Sequence, residues 1–71
     1  MKLHYYPETD SLYIELKTTP GTETREVISG LNVDIDEKGD VVGFDIDFAS
    51  QRLDLTRLET VALPVRTISA A

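Results

Sequence analysis

Cysteine is absent from the 71-residue chain, so neither a disulfide nor a thiolate-held metal can brace it. Tryptophan is absent too, and His4 is the single histidine, which leaves too few nitrogen and sulfur ligands for a zinc site. Bases are scarce: 7 Lys and Arg stand against 13 Asp and Glu, a net charge of −6. Such a chain lacks the clustered cations that nucleic-acid phosphate requires, and an anionic membrane repels it for the same reason. No apolar run is long enough for a transmembrane helix or a signal-peptide core, and no lipidation motif is visible, so the expectation is a cytoplasmic protein without cofactor.

A chain this short holds one domain, expected over residues 1–65 with a frayed tail at 66–71. At this size only roughly 60% of the unfolded surface is buried, so the core is marginal and homodimerisation is a natural remedy. A basic protein is the hetero-partner that the charge favours.

The chain is organised around residues 31–50, LNVDIDEKGDVVGFDIDFAS. Leu31, Val33 and Ile35 alternate with Asn32, Asp34 and Asp36, and Val42, Phe44 and Ile46 alternate with Gly43, Asp45 and Asp47. This period of two marks half-buried strands, and Gly39 between them can supply the positive φ of a turn. A four-residue loop, Glu37 to Asp40, pairs Ile35 with Val42, Val33 with Phe44 and Leu31 with Ile46, which gathers all six large residues on one face. The other face is acidic. The stretch holds six acids and one base, five of the chain's six net negative charges.

An earlier hairpin follows the same rule. With Pro7-Glu8-Thr9-Asp10 as its turn, Tyr5 pairs with Leu12 and Leu3 with Ile14, while Lys2 faces Glu15 and His4 faces Tyr13 on the outside. Pro20-Gly21 punctuates a loop, and residues 23–28 form a weaker strand in which Val27 or Ile28 faces the core. Asp47 is expected to cap a helix starting Phe48-Ala49-Ser50, and Asp54 a second one with Leu55, Leu58 and Ala62 on one face, ended by Pro64. Over residues 59–65 a strand with Val61, Leu63 and Val65 competes with that second helix. The expected fold class is therefore α+β: an antiparallel β-meander of about five strands with a short C-terminal helical segment packed on one face.

Chemistry-bearing motifs are weak. Asp34-x-Asp36-x-Lys38-Gly39-Asp40, with Asp45 at the twelfth position, has the outline of a calcium loop. Lys38 puts a cation where an oxygen ligand belongs, and Asp45 is too short to replace the usual bidentate Glu. Paired carboxylates for glycoside hydrolysis need a cleft that holds them about 5–9 Å apart, whereas these lie on a solvent face. His4 sits beside Tyr13 rather than beside a serine and an acid. The candidates for partner binding are Asp34, Asp36, Asp45 and Asp47 on the acidic side, together with Tyr6 and Tyr13, since tyrosine is favoured at interfaces.

The residues Tyr5-Tyr6-Pro7-Glu8-Thr9-Asp10-Ser11-Leu12-Tyr13-Ile14, then Glu26-Val27, Gly30, Val33-Asp34, Gly39, Val41-Val42-Gly43-Phe44-Asp45-Ile46 and Ala49-Ser50 resemble the bacterial family called domain of unknown function 2283. The likeness spans about residues 3–53. It implies a small β-rich protein and supplies no catalytic residues. Some relatives are encoded beside small toxin-like proteins, which implies an antitoxin-like role. The expected function is a non-enzymatic protein-interaction module, with a small ligand-binding domain or hydrolase as the alternative.

Overall fold

The computed structural model describes residues 1–66. Of the tail expected at 66–71, all but Arg66 lies outside the described residues. Five antiparallel strands, β1 (Lys2–Tyr6), β2 (Ser11–Glu15), β3 (Glu23–Ile28), β4 (Leu31–Ile35) and β5 (Val41–Ile46), make one sheet, and a single helical turn, α1 (Ala49–Arg52), follows. The α+β fold is thus as expected. The first hairpin pairs Leu3 with Ile14, Tyr5 with Leu12, Lys2 with Glu15 and His4 with Tyr13, the register that its apolar pattern demands.

Strand order is β1-β2-β5-β4-β3. β3, β4 and β5 run as successive hairpins, but β2 pairs with β5 rather than with its successor, as in a Greek key. Composition explains the choice. β3 carries Glu23, Arg25 and Glu26 and is exposed throughout, so it suits an edge, where charge discourages foreign strands. β5 is apolar on one face along its length and fits between two neighbours. The connection from β2 to β3 crosses the end of β5 and β4 and is tied there. The Leu16 N–H donates to the Val42 carbonyl at 2.9 Å and the Thr22 N–H to the Ile35 carbonyl at 2.8 Å. Lys17 Nζ stands 3.4 Å from Asp36 Oδ2 and 3.5 Å from Asp40 Oδ2 in the β4–β5 turn.

Two bulges interrupt the pairing, one of them shifting an expected register. Val33 faces Phe44 and Leu31 faces Ile46, but Ile35 faces Val41 rather than Val42. The turn causes this. The Asp36 N–H donates to the Asp40 carbonyl at 2.9 Å, so the loop closes one residue early and Val42 becomes the extra residue. Val42 still turns inward and is buried. In β3 the second bulge separates Glu26 from Ile28. Val27 and Ile28 are both 58% exposed, so neither reaches the core as expected.

Leu12, Val33, Val42 and Ala49 form the buried apolar core, and no large side chain among the described residues is fully enclosed. The helical segment is shorter than its periodicity suggests. Asp47 does not cap α1; Phe48 occupies the N-cap position in a left-handed conformation, φ 54°, without a side-chain bond. Asp47 is still held by the sheet, its N–H donating to the Gly30 carbonyl at 2.8 Å. The second helix does not form, and neither does the rival strand: residues 53–66 contain neither. Asp54 accepts from the Thr56 N–H and hydroxyl in a local turn. A short segment bearing Thr56, Thr60 and Val61 and ending at Pro64 does not repay the cost of helix nucleation.

Candidate functional site

The sheet has two unlike faces. On the polar face a row of side chains from three strands runs across four. Tyr13 in β2 reaches over β5 and donates its hydroxyl to Asp34 Oδ2 at 2.8 Å, while the Thr24 hydroxyl from β3 donates to Asp34 Oδ1 at 2.6 Å. The strand crossed must have no side chain: a Cβ on Gly43 would lie 2.2 Å from the Tyr13 hydroxyl and 2.6 Å from Cζ. His4 flanks the row, its ring centre 6.5 Å from that of Tyr13. The hydrogen bond to Asp34, then burial, then the negative charges of Asp34, Glu15 and Asp45 push the Tyr13 phenol up to about 12. Asp45, opposite both Tyr13 and Asn32, is also raised, by burial and then by Asp47 and Asp34.

The charges of Asp34 in β4 and of Asp47, just past β5, therefore bear on Asp45. Asp36 stands apart from them. It is buried in the β4–β5 turn, where Oδ1 accepts the Lys38 N–H at 2.9 Å and the Asp40 N–H at 3.0 Å. Those bonds and Lys17 hold its carboxyl below the usual range. Its role in the structure is to close the turn. Tyr6 is 50% exposed on β1, whereas the Tyr13 hydroxyl is already engaged by Asp34. Among the described residues no three His, Cys, Asp or Glu side chains are grouped so as to hold a metal ion.

Asp10 was not a candidate, yet it joins the ends of the fold. With φ 52° it turns its carbonyl to accept the Ala49 N–H at 2.9 Å, and its carboxylate accepts the Ser50 N–H at 3.1 Å and the Ser50 hydroxyl at 2.6 Å. The Tyr5 hydroxyl donates to it as well, at 2.8 Å. A residue 40 positions away thus supplies the helix cap expected of Asp47. These bonds hold the Asp10 carboxyl below the usual range. The other end of α1 is fastened by Arg52, whose guanidinium donates to the Ser29 carbonyl at 2.8 Å.

The apolar face is left open over β1 and β2. The chain after α1 passes beside it, and a groove of about 720 Å³ runs between Leu3, Tyr5, Leu12 and Ile14 on one side and Leu53, Leu55 and Leu58 on the other. Asp54 and Arg57 are its only charged lining residues among the described residues. Leu3 and Tyr5 are 47% and 44% exposed, and Leu58 75%.

A family model described as "Protein of unknown function (DUF2283)" matches residues 2–50, which takes in the whole sheet and stops inside α1. Comparison with curated proteins and with solved structures finds no match.

Proposed function

The chain belongs to the DUF2283 family of proteins of unknown function, and from its two-faced sheet we propose that it is a non-enzymatic protein-interaction module that docks through its apolar face. The open groove over β1 and β2 carries this reading. Apolar patches of this kind, rimmed by polar residues, mark interaction sites on small proteins. A hydrolase or small-ligand domain would need convergent polar groups in its pocket, and the groove lining is leucine, isoleucine and tyrosine apart from Asp54 and Arg57. The test is photo-crosslinking in the producing cell from a reactive residue placed at Leu3. Protein adducts are expected from Leu3 and not from Glu37 at the far turn. Equal yields from both positions would remove the apolar face as the docking surface.

A second docking mode, antitoxin-like, rests on the crowding of Asp45 against Asp34 and Asp47, which raises the Asp45 carboxyl. A basic partner would relieve that repulsion and form charge-assisted bonds on the polar face. Tyr6 stands on the exposed edge strand β1, one strand beyond β2, and adds apolar contact area at that side of the sheet. Such a complex is expected to weaken as salt rises and to lose affinity in the Asp34→Asn/Asp45→Asn variant.

A further inference from the structure

We infer that two copies of this chain pair antiparallel along the outer edge of β1, joining their five-stranded sheets into one continuous sheet. The bonds lie in the plane of the sheet, so the pairing is independent of what docks on the apolar face. Hydrogen-bond phase is the first reason. The Leu16 N–H bonds to the Val42 carbonyl, and Ile14 and Leu12 precede it at intervals of two, opposite Phe44 and Ile46. These residues turn their backbone groups toward β5, so Ser11, Tyr13 and Glu15 turn theirs toward β1. Their partners Tyr6, His4 and Lys2 are therefore bonded inward. The N–H and C=O of Leu3 and Tyr5 point away from the sheet, and none of these four groups has a hydrogen-bond partner among the described residues.

The two edges of the sheet are unlike. β3 carries Glu23, Arg25 and Glu26 and a bulge, and both features discourage a further strand. β1 keeps an unbroken register from Lys2 to Tyr6 and holds no proline and no acid. Every other strand holds at least one acid. A two-fold pairing centred on His4 fits the free groups of this edge. It sets Leu3 of each copy opposite Tyr5 of the other, so that all of those groups on both edges are bonded. A slip of two residues toward the turn would set Leu3 opposite Pro7, which has no N–H to donate. In the centred register Leu3 packs on Tyr5 on the apolar side, and Lys2 lies against the Tyr6 ring of the other copy on the polar side.

Net charge does not oppose this contact. Residues 31–50 hold five of the six net negative charges, and they form β5 and β4, two and three strands in from β1. Edge pairing keeps the two β5 strands about 24 Å apart and the two β4 strands about 34 Å apart at the ordinary strand spacing. Those separations are several times the roughly 8 Å screening length at physiological salt. β1 itself brings one Lys and no Arg, Asp or Glu.

Light scattering on the purified full chain at about 100 μM is expected to give twice the 7.9 kDa mass, falling toward one copy on dilution. Disulfide trapping reads the register, because the chain has no cysteine of its own. In an antiparallel pair, the non-hydrogen-bonded position at His4 brings Cα atoms to about 4.5 Å, within disulfide reach. His4→Cys is expected to cross-link to itself in air at least tenfold faster than Glu37→Cys at the far turn. Lys2→Cys mixed with Tyr6→Cys should give the mixed dimer in preference to either homodimer. Leu3→Pro removes an outward N–H that the single copy does not use, and should weaken association roughly tenfold or more beyond Leu3→Ala. A single copy for the wild type at about 100 μM overturns the pairing. So does a dimer in which His4→Cys cross-links no faster than Glu37→Cys, since the contact then lies elsewhere.

Discussion

Gly43 shows how one missing side chain can organise a face. Tyr13 can cross β5 only because nothing projects there, and Asp34 then receives hydroxyl donors from both sides. Gly43→Ala is expected to displace the tyrosine and cost about 1–3 kcal/mol, the range for losing a hydrogen bond to a charged group. Its signature is a Tyr13 phenol returning toward 10, read by ultraviolet titration. The raised phenol also sets an alkaline limit. The folded state holds this proton more tightly than the unfolded chain does, so the contribution is complete below pH 10. It is lost as pH rises from 10 toward about 12. Tyr13→Phe should remove that part of the alkaline loss. Asp45 has the opposite consequence at neutral pH. Its raised carboxyl means that the folded state disfavours the charge, and this cost is relieved as pH falls through its folded pKa. Asp45→Asn is therefore expected to raise the melting temperature at pH 7, and a lowered one would contradict the repulsion with Asp34 and Asp47.

A four-residue helix has too few internal bonds to stand alone, so α1 depends on what holds its ends. Asp10 holds the first turn from the β1–β2 loop and Arg52 fixes the last residue to the β3–β4 turn. Asp10→Ala is expected to lower the melting temperature by roughly 4–8 °C, the shift for losing one N-cap in a domain of this size. Thermal melts followed by circular dichroism would check it. Because the Asp10 carboxyl is held low, its contribution is present above the unfolded value of 3.8 and is lost as pH falls through the folded value. Asp36 follows the same rule in its turn, so both turns loosen in acid. With Asp36 bonded inside the β4–β5 turn and Lys17 beside it, calcium affinity should be millimolar or weaker. A saturable micromolar site in calorimetric titration, lost on Asp36→Asn, would contradict that use of the carboxylate.

A one-layer sheet followed by a single helical turn cannot enclose a large side chain, and here it encloses none among the described residues. Stability of such a chain should depend on association. If two copies pair along β1, the melting temperature rises with protein concentration, since mass action favours the folded dimer. Differential scanning calorimetry from about 5 to 500 μM would show it, and Leu3→Pro should flatten the dependence. A melting temperature independent of concentration in the wild type would mean that the single copy carries the fold.

Alternation along 71 residues was enough to locate five strands, to pair four residues of the first hairpin with their partners, and to align Val33 with Phe44 and Leu31 with Ile46. Side-chain period and turn chemistry are local, and a one-residue slip would invert a face, so these features are written in the order of residues. Asp34 and Asp45 on one side of the sheet follow from the same alternation. The remainder depends on which surfaces meet. Nothing near Asp10 in the chain marks it as the cap of a helix 40 residues later, and Asp47 carried the stronger local signal. The charges and unclean alternation of β3 are traces of its edge position, but placing β2 beside β5 required two apolar faces to merge. Leu55, Leu58 and Ala62 have helical spacing, but spacing alone does not offset the entropy of ordering the chain. The polar row and the open groove likewise exist only once β2, β5 and β4 lie side by side, because both are built from strands distant in sequence.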